Sequence, residues 1–351
     1  MMNRVSLSSK SQDGAPVFAK RGFLRFRTSG GMIEERNEHV FYREPLKLLL
    51  VRACALSESS MLVRHRAGEV TLNWRLVLAL FRFLPSFPLS ASIEAFCFYE
   101  GDTSQAPRKE RCLPNGQVAM VINLGHDTLR VAHLPYADQF QCFHGGVLTG
   151  AFSQFSVIDT TTMVTTLSIC FKPGGARLFL PMPAASLTNQ VVDLSCIFGT
   201  AACDLREQLQ VASTNDERVR ILERFLRERA CWEQALHPAV RFALTSFQNG
   251  NERRSISEVT IQLGMSHKRF ISLFEEAVGL TPKAFCRVQR FQEVLRLIEN
   301  GQQISWADLA LDCGYFDQAH FIHDFQAFSG LTPQAYLAQC SPYRNHVPLP
   351  E

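Results

Sequence analysis

Long apolar runs are missing from this sequence. The nearest candidate for a membrane-spanning helix, TLNWRLVLALFRFLPSFPL at 71–89, is interrupted by Arg75 and Arg82, whereas a span needs about 18 or more uninterrupted apolar residues. No secretory signal is read at the start of the chain. The 11 cysteines run from Cys54 to Cys340 without a CxxC pair or a zinc-type cluster. An odd, scattered set is expected to be reduced, in a protein of the cytoplasm. Nucleophile elbows, phosphate loops and dinucleotide fingerprints are also absent. His126, His133 and His144 lack the HxH…E spacing of a strand-borne metal site. Gly174-Gly175 in FKPGGARL could receive an anion ahead of a helix, but it reads better as a structural turn. Neither enzymatic activity nor a cofactor or metal is expected.

Charge of one sign is scarce too. The net charge is +3 over 351 residues. Residues 1–90 carry 14 Lys+Arg against 7 Asp+Glu, residues 91–240 carry 12 against 15, and residues 241–351 carry 10 against 11. The basic excess therefore lies in the first quarter of the chain.

What is present falls into blocks. Residues 1–75 are polar, Gly/Ser-rich and aperiodic, as in SLSSKSQDGAP and RFRTSGGMIEERNEH, and are expected to be a weakly ordered extension. LKLLLVRACAL (46–56) could form a short helix within it. Residues 85–235 begin with short β-branched runs: QVAMVINLG, TLRVAHL, FSVIDT and VTTLSICF, with turns at Pro114-Asn115-Gly116, Gly145-Gly146 and Pro173-Gly174-Gly175. Such spacing predicts a sandwich or small barrel. After about residue 200 the apolar period becomes helical, with Val219, Leu222, Phe225 and Leu226 on one face. The fold class expected is α+β, a β-rich unit followed by an all-α unit at 240–340 and a tail at 341–351.

One phrase is written twice in the helical part: GLTPKAF from Gly279 and GLTPQAY from Gly330. Each can end one helix and start the next. Gly279 and Gly330 suit the left-handed C′ position, Thr281 and Thr332 can cap the following helix, and Pro282 and Pro333 fit its first turn. Counting back, Phe274 matches Phe325, Phe270 matches Phe321, Val259-Thr260 matches Leu309-Ala310, and Gly264 matches Gly314 with one extra residue in the second copy. A small residue at a helix crossing, a glycine turn and an aromatic-anchored second helix make the pattern of a helix-turn-helix, here in tandem. PKAFCRVQRFQEVLRLI joins the copies as one helix with Phe285, Val288, Phe291 (or Gln292), Leu295 and Ile298 on its apolar face. Its 17 residues span about 25 Å at 1.5 Å each.

The segment 247–340 resembles the DNA-binding domain of the bacterial AraC/XylS regulators. ADLALDCGYFDQAHFIHDFQAFSGLTPQAY carries most of the likeness, through Gly314, Tyr315, Phe316, Asp317, Gln318, His320, Phe321, Phe325, Gly330 and Pro333. PLSASIEAFCFYEG, LPNGQVAMVINLG and FKPGGARLFLPMPAASLTNQVVDL are similar to the sensor half of one subgroup, cupin-like or otherwise β-rich. The resemblance implies a sequence-specific transcription regulator whose partner is double-stranded DNA. A small-molecule effector, a homodimer and contact with RNA polymerase are further partners it implies.

Reading residues follow from helical position. In the second copy, Phe321, Phe325 and Phe328 belong to the core and Asp317 to the N-cap. Gln318, Ala319, Ile322, His323 and Gln326 lie opposite. Gln318 suits adenine or a phosphate, His320 can reach the backbone, and His323 stands where the family usually has arginine. In the first copy, His267, Lys268, Arg269, Ile271 and Ser272 are left for DNA. Ser272 again replaces a usual arginine, and Glu275-Glu276 follow it, which makes this copy the weaker reader. Phosphate binding needs cations gathered on one side, and Lys268, Arg269, Lys283, Arg287 and Arg290 are the candidates. Two other readings stand beside this one: a cupin-like enzyme with an appended DNA-binding tail, and an interaction protein with degenerate helix-turn-helix units.

Overall fold

A computed structural model describes residues 78–101, 109–133, 139–248, 254–298, 305–339 and 343–349, and five earlier strand segments. It separates into two compact units, Met1–Ala79 and Leu80–Glu351. In the first, β1 (Arg4–Val5), β5 (Glu69–Asn73) and β4 (Leu62–Arg66) form an antiparallel sheet, and β2 (Gly22–Thr28) pairs antiparallel with β3 (Gly31–Asn37). The helix expected for LKLLLVRACAL lies outside the described residues.

The second unit opens with two antiparallel sheets, as the short β-branched runs require. One has the order β15 (Val191–Asp193), β12 (Gly146–Thr149), β9 (Ala119–Asn123), β14 (Thr165–Phe171), β7 (Ile93–Gly101), β6 (Leu78–Phe83). Alternation sorts its side chains. Phe98 faces Leu167 and Phe96 faces Ile169 across β7 and β14, while Ile122 and Met120 continue the same rows on β9. All six side chains are buried in the main core. The other sheet has the order β11 (Gln141–His144), β10 (Thr128–His133), β13 (Ser156–Asp159), β8 (Lys109–Cys112), β16 (His346–Pro348). A second cluster, Leu129, Val131, Phe143, Val147 and Val191, joins side chains of the two sheets. FKPGGARL is a turn: Gly174 has φ +77°, and a Cβ at Gly175 would lie 2.0 Å from the Ser92 carbonyl oxygen. Close packing against backbone explains the glycine there.

Ten α-helices follow among the described residues. They are α1 (Leu194–Phe198), α2 (Thr200–Val211), α3 (Asn215–Arg229), α4 (Pro238–Gln248), α5 (Ile256–Gln262), α6 (His267–Val278), α7 (Pro282–Ile298), α8 (Trp306–Asp312), α9 (Gln318–Ser329) and α10 (Pro333–Gln339). None of these helices is long and apolar enough to cross a membrane. The face expected on α3 packs inward, with Leu222, Phe225 and Leu226 buried and Val219 partly so.

The helical part rests on the β-rich part through both repeated turns. Gly279 has φ +88° and Gly330 φ +69°, the conformation their C′ role requires. A Cβ on Gly279 would sit 3.2 Å from the Ala184 carbonyl oxygen, and one on Gly330 would meet the Phe155 ring at 2.8 Å. The Thr188 hydroxyl donates to the Gly279 carbonyl, and Arg177 pairs with Glu276 at 3.1 Å. The Pro114–Gly116 turn lies on α7, where Gln292 donates to the Pro114 carbonyl at 2.8 Å. Beyond α10 the chain returns to the sheet. β16 pairs antiparallel with β8, placing His346 opposite Cys112 and Val347, fully buried, opposite Arg111. The Tyr336 hydroxyl donates to the Arg344 carbonyl at 2.9 Å, tying this strand to α10.

Candidate nucleic-acid interface

Each helix-turn-helix is assembled by local rules. In the first, Ser255 caps α5 and exchanges hydrogen bonds with Glu258 in a capping box. Ser255 holds the Glu258 carboxyl below the usual range by donating its N–H to it. Gly264 turns the chain at φ +61°, and Ser266 caps α6. Thr260, at the helix crossing, is buried and bonds to His267 Nε2 at 3.2 Å. In the second, Ser305 caps α8, Ala310 is buried at the crossing, and Gly314 turns at φ +77°. Asp317 then caps α9, accepting the His320 N–H at 2.7 Å. Phe270, Phe274, Phe321, Phe325 and Phe328 anchor α6 and α9 in the core. Thr281 and Thr332 accept from the third residue after each, as N-caps do.

On α6, His267, Lys268, Arg269, Ile271 and Ser272 are all exposed. His267 is nonetheless tied through Thr260 to the preceding helix, which orients its ring. Of the two glutamates that follow, Glu276 pairs with Arg177 of the β-rich part. On α9, Gln318, Ala319, His323 and Gln326 are exposed. Ile322, expected on the same face, is partly buried against the core instead. His320 is half-buried, with its ring against Tyr315 at 5.3 Å and its Nε2 3.8 Å from Asp324.

The structure brings only some of the candidate cations together. A cleft of about 870 Å³ opens between the two helix-turn-helix units, lined by Arg254 and Ser255 at the start of α5, Lys283, Arg287 and Arg290 on α7, and His320 and His323 on α9. Lys268 and Arg269 lie outside it, on the exposed face of α6. Arg287 has a partner within the protein: Nη2 donates to Asp324 Oδ1 at 2.6 Å and Nε to Oδ2 at 3.3 Å. The Asp324 hydrogen bond raises its guanidinium above the usual range. Arg290 donates to the Gly314 carbonyl at 3.3 Å and covers the Tyr315 ring. Arg287 and Arg290, two of the candidates for DNA contact, are half-buried and engaged within the protein, and they shape the cleft.

Two residues of this site escape sequence reasoning. Arg254 precedes α5 without any periodic signal. Asp324 lies between Phe321 and Phe325 and is itself buried; a carboxylate inside the aromatic stripe was the available sign.

Among the described residues no group of three or more His, Cys, Asp or Glu side chains is placed to hold a metal ion. The nine described cysteines are free thiols.

Two helix-turn-helix units on a shared connecting helix, with cations collected between them, define the class of this domain. Residues 260–339 match the family described as a helix-turn-helix domain. Residues 81–193, which hold most of the β-rich part, match a domain of unknown function. A curated relative, an uncharacterized HTH-type transcriptional regulator of Haemophilus influenzae, is 30% identical over 112 residues, 32% of this chain and 36% of that protein. The chain thus spans little more than a third of that relative's length. Among solved structures, the C-terminal domain of AraT, a response regulator from Geobacillus stearothermophilus, aligns with 31% of this chain and 93% of its own at 20% identity and a TM-score of 0.28. ToxT from Vibrio cholerae aligns with 65% of this chain and 93% of its own at 9% identity and a TM-score of 0.39.

Proposed function

We propose that this chain is a sequence-specific DNA-binding transcription regulator rather than an enzyme. The observation that carries this reading is the basic cleft between two complete helix-turn-helix units. It answers the near-neutral charge of residues 241–351: few cations suffice where they share one face. In this reading α6 and α9 enter successive major grooves of double-stranded DNA. Gln318, Ala319 and His323 read base edges on the second unit, with His320 at the backbone. His267, Lys268, Arg269 and Ser272 serve the first, and the cleft receives the phosphates between. Arg290 lines that cleft and supports it.

The β-rich part supplies control. Its contacts with Gly279, Gly330, Glu276 and α7 give it a physical route to both units. A small molecule bound there, or a second copy of the chain, would act by changing those contacts. Work in the cytoplasm and contact with RNA polymerase belong to the same reading. Genome-wide mapping of the DNA bound by the full chain tests it. A recurrent motif with two half-sites about one helical turn apart is the expected outcome; bound DNA without any shared motif would overturn it.

A further inference from the structure

Asp324 is the only acidic residue among the described side chains lining the cleft. It is 2% exposed, and it sits at the centre of the basic groups. Arg287 reaches it with two nitrogens, at 2.6 and 3.3 Å. Arg290 Nη2 lies 4.0 Å away, and His320 and His323 each 3.8 Å. The Arg287 fork is therefore engaged in the two-pronged manner by which guanidinium holds phosphate. It also lies over the Phe328 ring, with the centroid 5.2 Å from its central carbon, so the group is packed as well as paired.

We propose that Asp324 is a specificity-determining residue of this interface: it holds the Arg287 guanidinium on the protein and withholds it from DNA phosphate. The inference rests on the DNA-binding reading above and deepens it. Phosphate contacts strengthen binding to every sequence alike, whereas base contacts separate one sequence from another. Both reading helices carry uncharged or weakly basic residues where a permanent cation would strengthen binding: Ser272 on α6 and His323 on α9. With base readout this modest, each added phosphate contact would raise non-specific binding relative to specific binding. A buried carboxylate on the reading helix limits that, and it fixes α9 to α7 at the same point.

Salt titrations with operator and with unrelated duplex DNA test the assignment, using the full chain, Asp324→Asn, Arg287→Gln and the double variant. In Asp324→Asn, release of one guanidinium should steepen the salt slope by about 0.9, so that affinity falls about 3.5-fold more than wild type between 50 and 200 mM salt. Binding to unrelated DNA at low salt should tighten, and the ratio of specific to non-specific affinity should drop. Arg287→Gln alone should leave the wild-type slope unchanged, and in the Asp324→Asn background it should restore it. An unchanged slope in a folded Asp324→Asn chain overturns the proposal. So does a slope loss of about one unit in Arg287→Gln alone, because Arg287 would then already touch phosphate. That second arm decides the matter even if Asp324→Asn fails to fold. A wild type that binds with no sequence preference sinks the underlying DNA-binding reading instead; preference with unaltered slopes sinks the role of Asp324 alone.

Discussion

At the scale of single residues, two left-handed glycines invite comparison because their surroundings differ. A Cβ at Gly330 would strike the Phe155 ring at 2.8 Å, while nothing lies within 4 Å of one at Gly264. Gly264→Ala should therefore cost only the backbone strain, about 1 kcal/mol. Gly330→Ala should cost about 1–2 kcal/mol more, because a packed ring must also move. Denaturant melts of the two variants measure the gap, and equal losses would mean that Gly330 does not rest on the β-rich part. At the reading helix, His323 is exposed and is the position to charge permanently. His323→Arg should tighten operator binding by about 1 kcal/mol and steepen the salt slope; unchanged affinity in a gel-shift titration would place residue 323 away from DNA. Much at this scale was legible. Gly279, Gly330, Thr281, Thr332 and Asp317 do what their residue types and spacing demand, because caps and turns are local chemistry. The Arg287–Asp324 pair was not legible, since it depends on how α7 and α9 cross, 37 residues apart.

Among the elements, β16 has the most to reveal. Its three residues complete the edge of the sheet at β8, and His346 Nδ1 stands 3.0 Å from Glu110 Oε2 and 3.9 Å from Cys112 Sγ. Burial works against the charged imidazole, but Cys112 and Glu110 outweigh it and raise the group well above the ordinary histidine range. A raised value in the folded chain means that stabilisation is full below the unfolded value of about 6.5 and fades as pH rises through the folded one. His346→Gln should remove that component, so the melting temperatures of variant and wild type should converge at high pH and separate below neutrality. A gap that widens with rising pH would contradict the assignment. A tail at 341–351 was expected, but its strand was not, because three residues carry no period and the partner lies more than 230 positions upstream. The helices of the second half, by contrast, followed from apolar period and caps alone.

The molecule as a whole divides at Ala79 into units that can be tested apart. A chain starting at residue 76, which keeps all of β6, should melt within a few degrees of the full protein and bind DNA within about threefold. A tenfold loss would give residues 1–75 a part in binding. The fragment 240–345 should keep sequence preference, because both units lie within it, but it loses its supports at Ala184, Phe155 and β16. Its melting temperature should fall while the preferred motif stays the same; a folded fragment without preference would assign readout to the β-rich half. That dependence has a topological side. β13 and β16 both border β8 in one sheet, so the whole stretch between them, both helix-turn-helix units included, leaves that sheet and comes back to it. The helix-turn-helix part is a closed handle riveted at both ends, not a pendant on a stalk. A purification tag or reporter fused after Glu351 would therefore pull at the edge of the β-rich sheet, beside β16, before it reached α6 or α9.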